Sequence, residues 1–265
     1  VDCGANYDGK GRTAILGVIA GVIAAGAGTP VVVHSGDRVP TQKQDAYKHV
    51  LDALGVRTDL QPAESAQMTD TVGFGFYYQP AFAPHIAALT DRRDQMGVRT
   101  FINTIETIAN PAGASVHLGS FYHLAFAKKI VDTFATMEHP TPRRVLMFQG
   151  MEGYDDIRPG YTTVGEWTDG SFTDYAIEPD SYDLSFTEED LRVDGDDLAG
   201  SSARLTEAVL AGEASEPVRD AALLNAAFRI YAREDAPSID AALEEARESL
   251  AEGAAAAVLE RARTF

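Results

Sequence analysis

The sequence predicts an α/β protein: three layers, α/β/α, around a largely parallel sheet. Three observations carry this. Short β-branched or aromatic runs at 31–33, 73–78, 116–120 and 143–149 alternate with helical stretches. The run Val31-Val32-Val33 is wholly β-branched, with no polar alternation, as strands covered on both faces are. Several of the runs stop on glycine or polar residues, and ligands of open α/β sheets collect at that strand edge.

The first 38 residues set the pattern. Gly4, Gly9 and Gly11 punctuate a polar loop, a helix of small residues runs over 14–28, and Thr29-Pro30 stops it. The strand Val31-Val32-Val33 then leads into polar His34-Ser35-Gly36-Asp37-Arg38. Glycines let backbone N–H groups approach an anion, and a helix start adds positive partial charge. Lys10 and Arg12 add full charges. The combination suggests phosphate binding, although Gly-rich turns before helices are common. The chain opens inside this loop and without Met, so a preceding segment is expected.

Residues 14–33 are twenty positions without a charge and contain Gly17-x-x-x-Gly21, a membrane-packing pattern. Pro30 and the valine triplet split the run into helix and strand, and four glycines and five alanines keep it mildly hydrophobic. A buried helix against a sheet explains it better than a membrane span.

Helices are then expected over 40–54, capped by Gly55, over 64–68, and over 84–96, ending at Gly97. The stretch 98–110 closes on Pro111, and a further helix covers 125–137. From Tyr161 the pattern changes to a hairpin on the Asp169-Gly170 turn. An acidic, irregular stretch at 180–200 precedes three helices at 201–211, 218–233 and 238–263.

The chain carries 40 acids against 22 bases, a formal charge of -18. Only five bases are Lys. Such a surface suits a salt-rich cytosol, where screening removes self-repulsion; an ordinary acidic cytosolic protein is the plainer reading. Either way, nonspecific binding to nucleic acid or anionic lipid is disfavoured. Cys3 is the single cysteine, so no intrachain disulfide can form, which suits a reducing compartment.

The strand at 143–149 runs directly into Gly150-Met151-Glu152-Gly153-Tyr154-Asp155-Asp156. Adjacent carboxylates in a glycine-flexed loop can hold Mg²⁺ through oxygen ligands and water. On spacing alone the same residues also read as a solvated acidic turn.

Taken together the chain resembles the class IV phosphoribosyltransferases, the family of anthranilate phosphoribosyltransferase, along essentially its whole length. Gly4-Ala5-Asn6-Tyr7-Asp8-Gly9 is similar to the family's G-T-G-G-D-G loop, and Val33-His34-Ser35-Gly36-Asp37-Arg38 to its K-H-G-N-R segment. Leu51-Asp52-Ala53-Leu54-Gly55 resembles L-E-A-L-G. Arg93 to Asn103 follows R-x-E-L-G-x-R-T-x-F-N, with Asn110-Pro111 as the N-P after it. Gln149 to Asp156 resembles the H-G-x-D-G-x-D-E metal motif, and Leu223-Leu224-Asn225-Ala226-Ala227 the late L-L-N-A-A helix.

The resemblance implies a nucleoside phosphorylase/phosphoribosyltransferase type of catalytic domain spanning 1–265, without the family's N-terminal helical domain. That domain usually carries the dimer contact, so a homodimer is expected of the full-length protein. The implied activity is Mg²⁺-dependent transfer of the phosphoribosyl group of phosphoribosyl pyrophosphate to an aromatic or base acceptor. Gly4, Asn6, Asp8, Gly9, Lys10, Arg12, Thr13 and His34 would bind the donor, with Asp8 orienting its ribose-phosphate end. Asp155, Asp156 and Glu152 would hold Mg²⁺. Arg99 and Asn110 would meet the acceptor. Two of these residues have a structural alternative: His34 as a satisfied strand-end histidine, Arg99 as the partner of a neighbouring acid.

Several family positions differ. T-F-N-I-S becomes Thr13-Ala14-Ile15-Leu16-Gly17, the Lys before His34 is Val33, the paired serines become Gln42 and Lys43, and the metal Glu is Asp156. The acceptor pocket's F-A-P-x-x-H-P becomes Tyr78-Gln79-Pro80-Ala81-Phe82-Ala83-Pro84, without the histidine. The pattern is closer to the divergent anthranilate-transferase-like branch, and anthranilate is not expected as acceptor. The alternative function is a catalytically silent homologue that binds a ligand, nucleic acid included, on the same fold.

Overall fold

A computed structural model describes residues 1–4, 7–38, 42–137 and 142–265. Asn6 of the donor loop and residues 40–41, expected to open a helix, lie outside the described residues.

The chain begins with strand β1 (Asp2–Gly4), helix α1 (Gly17–Gly26) and strand β2 (Val31–Ser35). Helices α2 (Tyr47–Ala53) and α3 (Pro62–Val72) precede β3 (Phe74–Tyr78). Four short helices follow, α4 (Gln79–Phe82), α5 (Pro84–Ala87), α6 (Thr90–Met96) and α7 (Phe101–Thr107). Then come β4 (Val116–Ser120), α8 (Leu124–Thr136), β5 (Arg144–Phe148) and the hairpin β6 (Thr162–Thr168) and β7 (Ser171–Ile177). Helices α9 (Leu198–Ala211), α10 (Glu216–Arg233), α11 (Ile239–Ala251) and α12 (Ala254–Thr264) end the chain.

The seven strands form one sheet in the order β3-β2-β1-β4-β5-β6-β7. The first five pair in parallel, and β6 and β7 add an antiparallel edge. The three-layer α/β fold with a largely parallel sheet is therefore present. Its crossovers run one way from β1 to β2 and the other way from β4 to β5. The loops leaving β1 and β4 diverge, which opens the crevice where such folds bind ligands.

The two faces are unequal. Leu118, Leu146 and Phe148 point into a large core with α1, α10, α11 and α12. Val145 and Met147, the alternate positions of β5, pack against Ile130, Val131 and Phe134 of α8. Alternation along the strand feeds both layers.

Helix α1 is buried along nearly its whole length. Its glycines are steric: a Cβ on Gly17 would lie 2.4 Å from the Tyr47 hydroxyl, and one on Gly21 2.8 Å from the Phe74 ring. The Gly17-x-x-x-Gly21 spacing thus serves packing inside the molecule. Among the described residues, no helix is long and apolar enough to cross a membrane.

Five expectations change. The helix expected over 40–54 starts only at Tyr47, because Asp45 bridges Lys10 and Ala46 is extended. The opening stretch is not loop throughout, because Asp2–Gly4 is the central strand. The helix expected over 84–96 breaks after Ala87, and α4 ends at Ala83, whose φ of -132° and ψ of 60° precede Pro84. The short helix at 64–68 extends to Pro62–Val72, with Glu64 closing a capping box on the Gln61 N–H. The last helix is two helices, divided at Gly253 with φ 73°. The hairpin turn forms as expected, with Asp169 and Gly170 both at positive φ.

Candidate active site

The carboxyl ends of β1, β2 and β5 and the helical segment after β3 bring the described sequence-predicted residues to one sheet edge, with two exceptions. Gly4 is inside β1, fully buried, where a Cβ would lie 2.3 Å from the Thr107 carbonyl oxygen; its role is close packing, not anion approach. Asn110 sits in the turn entering β4, at the opposite edge. Its side chain bonds Ala114 twice, donating to the carbonyl and accepting from the N–H, so it shapes a turn and does not face an acceptor. Gly9 is required by its φ of 86° and by the Asp45 carbonyl 2.5 Å from where a Cβ would be.

Lys10 turns inward. Its Nζ is 2.5 Å from Asp156 Oδ2 and donates to the Ala14 carbonyl at 3.1 Å, with the ammonium sealed from water. Asp156 also accepts from the Met151 N–H at 2.7 Å. Burial pushes the Asp156 carboxyl above the usual range, with the Lys10 charge opposing that shift. Asp155 is held differently: Arg229 Nη2 reaches its Oδ2 at 3.0 Å, and the Tyr47 hydroxyl donates to its Oδ1. The adjacent carboxylates thus point to two different protein cations.

Glu152 is the third acid of this loop. The Gly11 N–H donates to its Oε2 at 2.9 Å, and the Thr13 N–H and hydroxyl donate to its Oε1 at 2.9 and 2.8 Å. Burial raises its carboxyl, but these donors outweigh burial and hold it below the usual range. Exposed Arg12 stands 3.9 Å from Oε2.

Asp8 is fully buried, accepting from Asn103 Nδ2 at 3.2 Å and pairing with Arg99 Nη1 at 2.9 Å. Arg99 is half-exposed beside the Tyr122 ring, so its pairing with a neighbouring acid is real. Below it, Arg93 makes a bidentate pair with buried Glu106 at 2.5 and 2.9 Å.

His34 is fully buried at the end of β2. Nε2 lies 3.2 Å from Asp2 Oδ2, and Nδ1 meets the Tyr7 hydroxyl. This assigns the tautomer with Nε2–H donating and Nδ1 accepting. Asp2 Oδ2 also takes His117 Nδ1 at 3.1 Å, while His117 Nε2 faces the Thr107 carbonyl at 3.1 Å. Burial alone would raise the Asp2 carboxyl; the two histidines overcome that and lower it.

Asp155, Asp156 and Glu152 do not form the Mg²⁺ cage that the resemblance implied. Each carboxylate is committed to a cation or to N–H donors. Among the described residues, no three His, Cys, Asp or Glu side chains are placed to hold a metal ion. Mg²⁺ at phosphate sites takes only one or two carboxylates, with water and substrate phosphate completing its shell.

Sequence reasoning missed Asp2, Tyr7, Tyr47, His117 and Arg229. Two left a signal: Arg229 is a lone charge in the apolar face of α10, and His117 interrupts an apolar strand. A cavity of about 230 Å³ opens beside Glu152, lined by Arg12, Thr13, Gly150, Met151, Arg158 and Glu188 among others. The larger cavity, about 810 Å³, lies between α9, α10 and α11, away from the strand ends.

Similarity to known proteins decides the family. Residues 8–256 match the glycosyl transferase family, a/b domain. The chain belongs to this family. It is 36% identical to the anthranilate phosphoribosyltransferase of Methylibium petroleiphilum over 98% of its length and 73% of that protein's. With the enzyme of Methanocorpusculum labreanum it shares 33% identity over 97% of its length and 73% of the relative's. The crystal structure of anthranilate phosphoribosyltransferase from Thermus thermophilus superimposes with a TM-score of 0.80 at 30% identity, over 97% of this chain and 74% of that one. The Saccharomyces cerevisiae enzyme in complex with PRPP and Mg shares the fold, with a TM-score of 0.79 at 20% identity, over 96% and 69% of the two chains. The resemblance read from the motifs thus holds along nearly the whole chain.

Proposed function

We propose that this chain binds phosphoribosyl pyrophosphate with Mg²⁺ and transfers its phosphoribosyl group to an aromatic or base acceptor. One observation carries the reading. The Gly11 and Thr13 N–H groups and the Thr13 hydroxyl converge on Glu152, which with Arg12, Thr13 and Arg158 lines one cavity between the loops after β1 and β5. The solved yeast relative is recorded with PRPP and Mg. In this chain Mg²⁺ is read as arriving with the donor, with Asp155, Asp156 and Glu152 as its candidate protein ligands.

Transfer of this kind passes through an oxocarbenium-like state while pyrophosphate leaves. The protein's part is to position the partners and to neutralise the leaving group. Arg12, the Gly11 and Thr13 amides and Arg158 are placed for the diphosphate. Asp8, fixed by Asn103 and Arg99, is placed for the ribose end. Arg99, paired with Asp8, and the Tyr122 ring beside it offer flat stacking surfaces to an aromatic acceptor.

A catalytically silent ligand-binding homologue is the second reading, favoured by one observation: Lys10 is tied to Asp156 and turned away from the cavity. Calorimetry with phosphoribosyl pyrophosphate, with and without Mg²⁺, tests the first. Heat of binding that grows with Mg²⁺ is expected, followed by pyrophosphate release when the acceptor is added. No heat at millimolar donor rejects the enzyme reading; heat without turnover on any aromatic acceptor selects the silent one.

A further inference from the structure

We propose that Glu152 is a built-in occupant of the phosphoryl cradle, and that the donor's diphosphate binds by displacing it. The inference rests on the reading above that the cavity beside Glu152 takes phosphoribosyl pyrophosphate. It identifies what fills the cradle before the donor arrives.

The Gly11 and Thr13 N–H groups and the Thr13 hydroxyl all point at one carboxylate. That is the donor pattern a phosphoryl group wants: two amides on two oxygens, plus a hydroxyl, with a guanidinium nearby from Arg12. A carboxylate presents two oxygens with similar spacing and charge, so it satisfies the cradle without an external anion. Buried N–H groups left unbonded are costly, which gives the empty cradle a reason to recruit its own acid.

The Glu152 side chain can leave while its backbone neighbours hold. Glu152 adopts φ 52° and ψ 25°, in the left-handed region that a non-glycine residue avoids. Gly150 and Gly153 flank it, the latter at φ 81°. Asp155 and Asp156, just beyond, are pinned by Arg229 and Lys10. The Met151 N–H bonds Asp156 and the Gly153 carbonyl accepts from the Ser120 hydroxyl, so the backbone on either side holds while the Glu152 side chain rotates out. The Glu152 side chain is 15% exposed on the cavity side, so it has a route out.

Displacement exchanges one anion for another on the same donors. Apparent affinity for the diphosphate is then reduced by the fraction of molecules in which Glu152 holds the cradle. Removing the resident carboxylate should tighten binding.

The probe is inorganic pyrophosphate, titrated by calorimetry into the wild type, Glu152→Gln and Glu152→Asp. Aspartate keeps the charge but is one methylene too short to reach Gly11 and Thr13 together. Thermal unfolding first confirms that each variant folds. Affinity higher by about tenfold or more in the variants is expected. Equal or weaker binding by folded variants overturns the proposal.

Hydrogen exchange on the wild type gives a second reading that needs no variant. With pyrophosphate bound, the Gly11 and Thr13 amides should stay protected, now by the diphosphate. Loss of their protection in the pyrophosphate complex overturns displacement. If the wild type binds phosphoribosyl pyrophosphate but the variants do not gain affinity, only this inference falls. If no form binds either ligand at millimolar concentration, the donor reading falls with it.

Discussion

Arg229 reaches from α10 to Asp155 at the carboxyl end of the sheet, its Nη2 3.0 Å from Oδ2, with both side chains only 1% exposed. The pair joins the late helix to the loop after β5, residues 74 apart in sequence. Asn225, one turn earlier on the same helix, accepts the Ile157 N–H of that loop at 2.9 Å. The L-L-N-A-A segment is thus a brace for the acidic loop.

Breaking this pair from one side should be strongly destabilising. Asp155→Asn leaves the Arg229 guanidinium buried without its charge partner, and Arg229→Leu leaves the carboxylate alone. Each should lose about 3–5 kcal/mol in urea unfolding. The double variant should lose less than the sum of the two, because no orphaned charge remains. Additive losses in the double variant would mean the two side chains act separately.

The largely parallel sheet was legible because strand-like runs alternate with helices and because six motifs fall in the family's order; the strand order was not, since it turns on β1 at the centre. What escaped depended on distant partners. Asp155-Asp156 looks like a metal site from spacing, yet each acid answers a cation 74 or 146 residues away. Strand β1 was hidden because Asp2-Cys3-Gly4 has no apolar run; Asp2 is tolerated there only because His34 and His117 reach it. Lys10 in a glycine-rich loop reads as a phosphate ligand, and nothing local says that it turns inward. Glu152 was read as a metal ligand, when its partners are the amides assigned to the phosphate.

The buried acid at Asp2 makes a pH prediction. Folding lowers its carboxyl below the ordinary 3.8, because the two histidines outweigh burial. Its stabilisation is therefore full above about pH 4 and is lost as pH falls through the folded value. Asp2→Asn should flatten the acid limb of the stability-versus-pH curve below about pH 4. An unchanged limb would place acid lability elsewhere.

Cys3 lies beside the same charges, fully buried, and burial pushes its thiol up to about 12. The thiolate is the reactive form, so the native protein should resist iodoacetamide at about pH 8 and label once unfolded. Rapid labelling of the native protein would show that β1 opens readily.

The acceptor can be narrowed by Asp8. Its carboxylate already engages Arg99, the cation that an aromatic acid would need. Phe82 also packs edge-on to His34, 5.9 Å between ring centroids, at the pocket that lacks the family's second histidine. We therefore expect no N-phosphoribosyl-anthranilate when anthranilate and phosphoribosyl pyrophosphate are supplied, and faster consumption of donor with an aromatic amine or base lacking a carboxylate. Product with anthranilate, read by the loss of its fluorescence, would show that Arg99 can exchange Asp8 for the acceptor.

The surface charge makes the last prediction. Glu244 and Glu248, and Glu248 and Glu252, stand four residues apart along α11 and its C-cap. Such like-charged pairs cost a few tenths of a kcal/mol each at low salt. Arg247 relieves only Glu244, with which it pairs. The carboxyl of Glu245 is raised by partial burial and by the charges of Asp235 and Glu248, a local sign of the same repulsion. With a net charge of -18, the compact state feels these terms more than the extended chain does. At about 1 M salt the Debye length falls to about 3 Å and most long-range repulsion disappears. The midpoint of thermal unfolding should rise as KCl goes from millimolar to molar. Chloride is the salt to use, since sulfate would also strengthen apolar burial. A midpoint that stays flat or falls would mean the acidic surface is not an adaptation to salt, because repulsion would then contribute nothing for the ions to screen.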